Sequence, residues 1–324
     1  MRPNELYAFV CYQGVWKSTD YGMTWTGPIN TGNGGSMVTQ GKPWTAAIDN
    51  SPRDPSTPPT LWTAAAAQGV LKSTDGGVSW TAHLTHNQAA LEGGGAANGN
   101  DAYAFDVDPY DHLHMLTGFH NTGLSESTDG GETWSDITLP ANGGISIYPF
   151  FIDTGEATTT RGNWLTIPMD DSQPPPNHAG AEHTTDGGKT WTRLGEYAHA
   201  HGSSQLFNAG GGVAYMAVPD NPSPGVFKTT DSGTTWTRVS SAQENGVMGT
   251  TTALYASWGW ADTGPWNHQD LQSASLSADT SWTPIPAPQA MIEGWKRLSV
   301  TFDGKHHILV GGFWLAGIWR YVEP

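Results

Sequence analysis

The chain has 324 residues, and its 30 acidic against 14 basic side chains give a formal net charge of −16. That balance excludes a general nucleic-acid or anionic-membrane surface, because phosphate binding needs clustered Lys and Arg. Cys11 is the single cysteine, which rules out an intramolecular disulfide and a thiolate metal cluster, and no apolar run approaches the roughly 18 residues that cross a bilayer.

With 41 Gly, 22 Pro, 16 Trp and 10 Tyr, the chain predicts many short strands joined by tight turns. The first elements lie in "MRPNELYAFVCYQGVWKS" at 1–18, two strands that run into the phrase "KSTDYGMTW" at 17–25. The phrase returns as "KSTDGGVSW" at 72–80, "ESTDGGETW" at 126–134, "HTTDGGKTW" at 183–191 and "KTTDSGTTW" at 228–236, with a degenerate copy, "SLSADTSW", ending at Trp282. A shorter phrase precedes each: "QGVWKS" at 13–18, "QGVLKS" at 68–73, "TGLSES" at 122–127, "AGAEHT" at 179–184 and "PGVFKT" at 224–229, and "AGIWRY" at 316–321 closes the series. Ahead of these the chain alternates as strands do, for example "YAFDVDP" at 103–109, the turn "YDHL", then "HMLTGF" at 114–119.

Each repeat therefore predicts strands A, B, C and D, with the long phrase at the turn from C to D. Units of about 45 to 57 residues with four short strands have the size of a propeller blade, and radial closure removes their exposed edges. The expected fold is an all-β β-propeller, one domain over residues 1–324. Seven C-strand phrases predict seven four-stranded blades, two of them incomplete at the termini. Six blades is the alternative, if 263–275 holds no blade strand. Because the chain opens inside a repeat, a first strand A and a signal peptide are expected to be missing from it.

The long phrase fits S/T-x-D-x-G-x-T/S-W, and in this the chain resembles the sialidase-like Asp-box (BNR-repeat) propellers, xyloglucanase-like ones among them. The resemblance implies that Asp20, Asp75, Asp129, Asp186 and Asp231 are structural, accepting bonds from turn N–H groups. It also implies that Gly22, Gly77, Gly131, Gly188 and Gly233 supply the turn's backbone freedom. In the sixth copy Ser277 stands where the Asp belongs.

The repeated turns mark one end of the blades, and the long unequal inserts fall at the other, where binding and catalysis are usually placed. His86, His120, His178, His199, His201 and His268 lie in those inserts, and Lys42, Lys296 and Arg297 precede or open A strands beside them. His120 and His201 are the candidate catalytic bases, since a neutral imidazole moves protons near pH 7. His86, His199, Lys42, Lys296, Arg297, Tyr148, Trp260 and Trp266 are the candidate substrate contacts, the tryptophans by stacking on sugar rings. Arg161 is placed in an A-to-B turn at the opposite end. No metal site is expected: His199 and His201 would need a third ligand, which His86 or His120 could supply, but nothing in the sequence resembles HExxH. The reaction needs no cofactor, and Ca²⁺ is admitted as a structural ion.

Sialidases require an R-I-P motif, which is absent here. The xyloglucanase-type propellers carry an Asp in "RTDxGG" after the first "LYA", where this chain has "FVCYQGVW" with no carboxylate. The chain is similar in scale to single-domain propellers that act on rhamnose linked to glucuronate, the lyases and rhamnosidases. Low charge with abundant Trp, Thr, Asn and Gly resembles secreted carbohydrate-active proteins and predicts an extracellular location, and the likeness to these propellers implies an enzyme acting on an oligo- or polysaccharide containing a uronate, by histidine-based elimination. The alternatives are a glycoside hydrolase with paired carboxylates, Glu92 with Asp170 or Glu293, and a lectin-like propeller without catalysis.

Overall fold

A computed structural model describes every residue except 1, 42, 50, 52–53, 55, 66–67, 84–101, 120–122, 141–144, 170–179, 196, 198–204, 220–223, 243, 245, 259–270, 292–293 and 314–316. The chain divides into two compact units, Met1–Phe151 with Glu156–Arg193, and Ile152–Gly155 with Leu194–Pro324.

The first unit opens with a two-stranded ribbon, β1 (Leu6–Val10) against β2 (Gly14–Ser18). A short helix, α1 (Gly35–Gln40), leads into the sheet of β3 (Pro43–Ile48), β4 (Leu61–Ala65), β5 (Gly69–Ser73) and β6 (Thr81–His83). The next sheet holds β7 (Ala102–Val107), β8 (Met115–Phe119), β9 (Leu124–Ser127) and β10 (Ser135–Ile137). The last holds β11 (Ile145–Phe151), β12 (Trp164–Met169), β13 (Ala181–Thr184) and β14 (Thr192–Gly195), with a helical turn, α2 (Ala157–Thr160), between β11 and β12.

The second unit has a sheet of β15 (Gln205–Gly210), β16 (Val213–Val218), β17 (Gly225–Thr229) and β18 (Thr237–Ser240). A second sheet holds β19 (Gly246–Gly249), β20 (Ala253–Ser257), β21 (Leu271–Ser275) and β22 (Thr283–Ile285). A third has three strands, β23 (Arg297–Phe302), β24 (His307–Phe313) and β25 (Gly317–Val322). Among the described residues the strands pair antiparallel with their neighbours in sequence, for example Trp62↔Lys72 and Tyr215↔Lys228.

The protein is an all-β β-propeller of six blades, five with four strands and one with three. The seven-blade expectation is corrected, because the N-terminal piece forms only a ribbon extended by the single bridge Lys17↔Thr26. The condition attached to six blades does not hold either, since Leu271–Ser275 is a C strand paired on both edges.

The B strands are buried on both faces because each lies between two sheets, and their period of two divides the core. Leu61 and Ala65 of β4 pack with Val15, Val38, Leu71 and Trp80. Trp62 and Ala64 face the other way, onto Phe105, Met115 and Phe119. In the second unit Leu254 and Ala256 of β20 join Tyr215, Val226 and Val247, while Tyr255 joins Leu271, Trp295 and Leu309. Full burial of one such side chain contributes about 1.5–3 kcal/mol, so this alternation supplies much of the packing energy.

The repeated phrase builds one turn five times. Ser127 Oγ donates to Asp129 Oδ1 at 2.8 Å and accepts from Gly131 N at 2.8 Å, and the Asp129 carboxylate accepts from Thr133 N at 2.9 Å and Thr133 Oγ1. The residue after each Asp has positive φ: Tyr21, Gly76, Gly130, Gly187 and Ser232. Their N–H groups donate at 2.8 to 3.2 Å to Asn4, Pro59, Leu113, Gly162 and Gly212, all at or before the start of strand B in the same sheet. The phrase thus ties the C-to-D turn to the A-to-B turn.

Those bonds set the acidity of the turns. Asp20 is held at about 2 by bonds from Thr24 and Ser18. Burial pushes Asp129 up, but bonds from Thr133 and Ser127 outweigh it and bring the carboxyl to about 2.

Candidate functional site

The tie between turns assigns the two ends of the sheets. One end carries the A-to-B and C-to-D turns, closed by backbone bonds. The other carries the B-to-C connections and the starts of the A strands.

At that second end of the second unit, the starts of β15, β19 and β23 come together. Gln205, first in β15, donates from Nε2 to Leu298 O at 2.6 Å and accepts at Oε1 from Leu298 N at 3.1 Å. Gly246, first in β19, lies against this pair: a Cβ there would be 3.4 Å from both Gln205 Oε1 and Lys296 O, and 3.3 Å from Ser257 Oγ. Ser257 Oγ donates to Trp295 O, and Lys296 N to Gly312 O at 3.2 Å. The Gln205 amide and the Ser257 hydroxyl therefore meet the backbone of Trp295, Lys296 and Leu298 where the chain leads into β23.

Glu244 stands two residues before Gly246. It is 3% exposed, and its Oε2 is buried without a hydrogen-bond partner. Burial pushes its carboxyl up to about 8, so it is uncharged at neutral pH. In the first unit Glu182, near the start of the C strand β13, is 8% exposed, and burial raises it to about 7 against the pull of Arg193.

Of the sequence candidates, Lys296 is 6% exposed and Arg297 is half-buried at the start of β23. Tyr148 is fully buried within β11 in the first unit, beside Phe150. His120, His201, His86, His199, Lys42, Trp260 and Trp266 lie outside the described residues, as do Glu92, Asp170 and Glu293. Arg161 is at the turn end, bonded to Asp111 at 2.8 Å. No group of three His, Cys, Asp or Glu among the described residues is arranged to hold a metal ion. No helix among them is long and apolar enough to cross a membrane.

Sequence reasoning missed both buried glutamates. Glu182 had a signal: in "AGAEHT" it takes the place held by Trp16, Leu71 and Phe227 in the parallel phrases, an apolar position. Glu244 had none, since it stands in a short connection between strands with no repeated phrase to set it against.

No family model matches the chain. A xyloglucanase from a Paenibacillus species is 26% identical over 208 residues, which cover 57% of this chain and 18% of that protein. The GH74 enzyme of Niastella koreensis superposes with a TM-score of 0.61 at 18% identity, over 98% of this chain and 50% of its own. The WD40 propeller domain of Doa1 gives 0.59 at 9% identity, over 99% of this chain and 89% of that one. The chain thus spans half of the GH74 enzyme and less than a fifth of the xyloglucanase. Likeness of equal degree to a GH74 enzyme and to a WD40 domain establishes the propeller and leaves activity to the site.

Proposed function

We propose that the chain is an Asp-box propeller that binds and cleaves a glycan at the sheet ends opposite the repeated turns. The observation that carries this reading is that the starts of β15, β19 and β23 meet at that end of one unit through Gln205 and Ser257, with a buried acid, Glu244, two residues before β19, while the opposite end is closed by backbone ties. The sequence likeness to a xyloglucanase supports a polysaccharide as ligand and hydrolysis as the reaction. Carboxyl groups kept protonated by burial are what glycoside cleavage uses to protonate the leaving oxygen.

Elimination from a uronate is the second reading, favoured by the adjacent cations Lys296 and Arg297, which suit a sugar carboxylate and the enolate-like charge that develops from it. A histidine base would then take the proton beside that carboxylate. Both readings place the protein outside the cell with its polysaccharide.

The test is incubation with a panel of xyloglucan-type and uronate-containing oligosaccharides, following reducing ends and the near-ultraviolet absorbance of unsaturated uronates. Reducing ends alone establish hydrolysis, and the absorbance establishes elimination. Binding with neither signal replaces the enzyme with a lectin.

A further inference from the structure

We propose that Asn33 is a site of covalent modification: its side chain closes onto the backbone nitrogen of Gly34, releases ammonia, and reopens with water as aspartate and isoaspartate. The site lies in the strap that joins β2 to α1 and β3, and the inference is independent of the glycan reading.

The sequence sets Asn33 before Gly34 in "TGNGGS" at 31–36. A glycine after an asparagine has no Cβ to shield its nitrogen, so the side-chain carbonyl carbon can reach it and close a succinimide ring. The fold demands this glycine. Gly34 has φ 71, and a Cβ there would collide with Trp80 O. The close packing that requires glycine therefore keeps the reactive pair in the chain. Three further Asn–Gly pairs, at Asn98, Asn142 and Asn245, have their asparagines outside the described residues.

A comparison within the same strap shows which amide is free to react. Asn30 is 8% exposed, its Oδ1 accepts from Val15 N at 2.9 Å, and its Nδ2 donates to Gly35 O at 2.7 Å and Thr39 Oγ1 at 2.8 Å. Both ends of that amide are held. Asn33 is exposed, and among the described residues neither its side chain nor Gly34 N makes a hydrogen bond. The one amide is fixed by the fold, and the other can turn onto the nitrogen beside it.

The backbone around Asn33 also favours the attacking form. Trp80 N donates to Asn33 O at 2.8 Å, and Gly32 N donates to Val78 O at 2.9 Å. The Asn33 carbonyl is conjugated with Gly34 N, so when that nitrogen loses its proton the negative charge spreads onto Asn33 O. A donor already fixed on the oxygen stabilises that charge.

The step balances without an oxidant or reductant. The Gly34 N to Asn33 Cγ bond forms, the bond from Cγ to the amide nitrogen breaks, and that nitrogen leaves as ammonia with the proton from Gly34. Water then adds to one of the two ring carbonyls and the ring opens, so the sum is amide plus water giving carboxylic acid plus ammonia. Opening at Cγ gives aspartate on the original backbone. Opening at the other carbonyl gives isoaspartate, in which the chain runs through the side-chain carbon and the oxygen that held Trp80 N ends in a free carboxylate. The second product lengthens the strap by a methylene and breaks its tie to the repeated turn at 72–80.

The experiment incubates the full chain in its native state at mildly alkaline pH, locates conversion by tandem mass spectrometry, and detects isoaspartate with an isoaspartyl methyltransferase. Conversion at Asn33 is expected to rise about tenfold for each unit of pH, as attack by a deprotonated nitrogen requires, while Asn30 keeps its amide. Asn33→Gln should remove the signal at this position. The isoaspartyl fraction, separated by ion exchange, should unfold at a lower urea midpoint than Asn33→Asp, which carries the same charge on an unaltered backbone. A native chain that retains the Asn33 amide while the urea-unfolded chain loses it would show that the fold protects the site, and overturns the proposal. Conversion to aspartate with no isoaspartate overturns the ring-closing route, and equal loss at Asn30 overturns the argument from the free amide. Equal midpoints for the isoaspartyl fraction and Asn33→Asp overturn the broken tie.

Discussion

Gln205 binds both backbone groups of Leu298, 93 positions later in the chain, at 2.6 and 3.1 Å. One side-chain amide thereby takes the place of a strand neighbour at the start of β23, and Gly246 leaves the space in which it reaches across. Gln205→Ala leaves a part-buried donor and acceptor without partners, for an expected loss of about 1–3 kcal/mol in urea unfolding. Gln205→Glu sets a carboxylate oxygen against the Leu298 carbonyl and should cost at least as much as Gln205→Ala. A Gln205→Ala protein with wild-type stability would show that water replaces the amide at no cost.

Gly188 and Gly211 separate the two costs of adding a side chain at positive φ. Gly211, at φ 61, has open space around a Cβ, whereas at Gly188, with φ 78, a Cβ would meet Ile137 Cγ2 at 2.7 Å and the Trp164 ring at 3.0 Å. Gly211→Ala should cost about 1–2 kcal/mol for the backbone alone. Gly188→Ala should cost a further 1–3 kcal/mol, approximately, for crowding. Equal urea midpoints for the two variants would contradict the packing difference.

The repeated turn was legible in the sequence because its bonds span at most four residues: Ser, Asp, Gly and Thr of one phrase make it without help from elsewhere. The alternation of the B strands was legible for the same reason, and together they carried the propeller. Blade number was less so, since seven phrases include an N-terminal one that closes only a ribbon. The site was least legible. Gln205 gives no local sign of its partner at Leu298, and Glu244 looks in the sequence like an ordinary loop acid, though it is buried. The histidines and tryptophans singled out from the inserts fall almost entirely outside the described residues.

His114 makes stability depend on pH at the alkaline side. Its ring is fully buried, with Nδ1 2.9 Å from Asp108 Oδ2 and Nε2 2.8 Å from Glu126 Oε1, and Phe151 and Trp164 lie against it. Burial pulls its pKa down, but the two carboxylates outweigh burial and raise it, while Arg161, itself bonded to Asp111, opposes them. The folded protein therefore holds the proton more tightly than the unfolded chain. That stabilisation is complete below about 6.5, the unfolded value, and is lost as pH rises through the higher folded value. Wild type should lose Tm relative to His114→Gln as pH is raised above neutral. His114→Ala, which strands two carboxylates, should cost about 3–5 kcal/mol at pH 6. A His114 ring proton resonance titrating below 6.5 would refute the argument.

At the acid side the sign reverses. Asp20, Asp129 and Asp186 are held at about 2, so their contribution is present above the unfolded value near 3.9 and fades as pH falls toward 2. Ser127→Ala removes the acceptor of Gly131 N and one donor to Asp129, at an expected cost of about 1–3 kcal/mol. Asp129 should then titrate closer to an ordinary carboxyl by carbon NMR, and an unmoved Asp129 would show that Thr133 alone sets its acidity.

Asp279 shows how the sixth, degenerate phrase compensates for its missing Asp. With Ser277 in the Asp position, the turn closes through a bond from Ser277 N to Ser275 Oγ, and Asp279, in the phrase's glycine position, accepts from Tyr215 OH at 2.8 Å and Lys228 Nζ at 2.6 Å in the preceding sheet. Lys228 also lies 5.5 Å from the centre of the Tyr215 ring, so phenol, ammonium and carboxylate form one cluster. Burial and the Asp279 bond raise Tyr215, and the same carboxylate raises Lys228. Lys72 does likewise, over Trp62 at 5.9 Å and bonded at 2.7 Å to Glu132 of the following sheet. Because Asp279 serves two donors at once, Asp279→Ala should cost more than Lys228→Met, about 2 against 1 kcal/mol. It should also lower the Tyr215 pKa, read from the alkaline rise of tyrosinate absorbance. If Lys228→Met proved the costlier change, the stacking of lysine on the ring within its own sheet would outweigh the carboxylate's bonds between the two sheets.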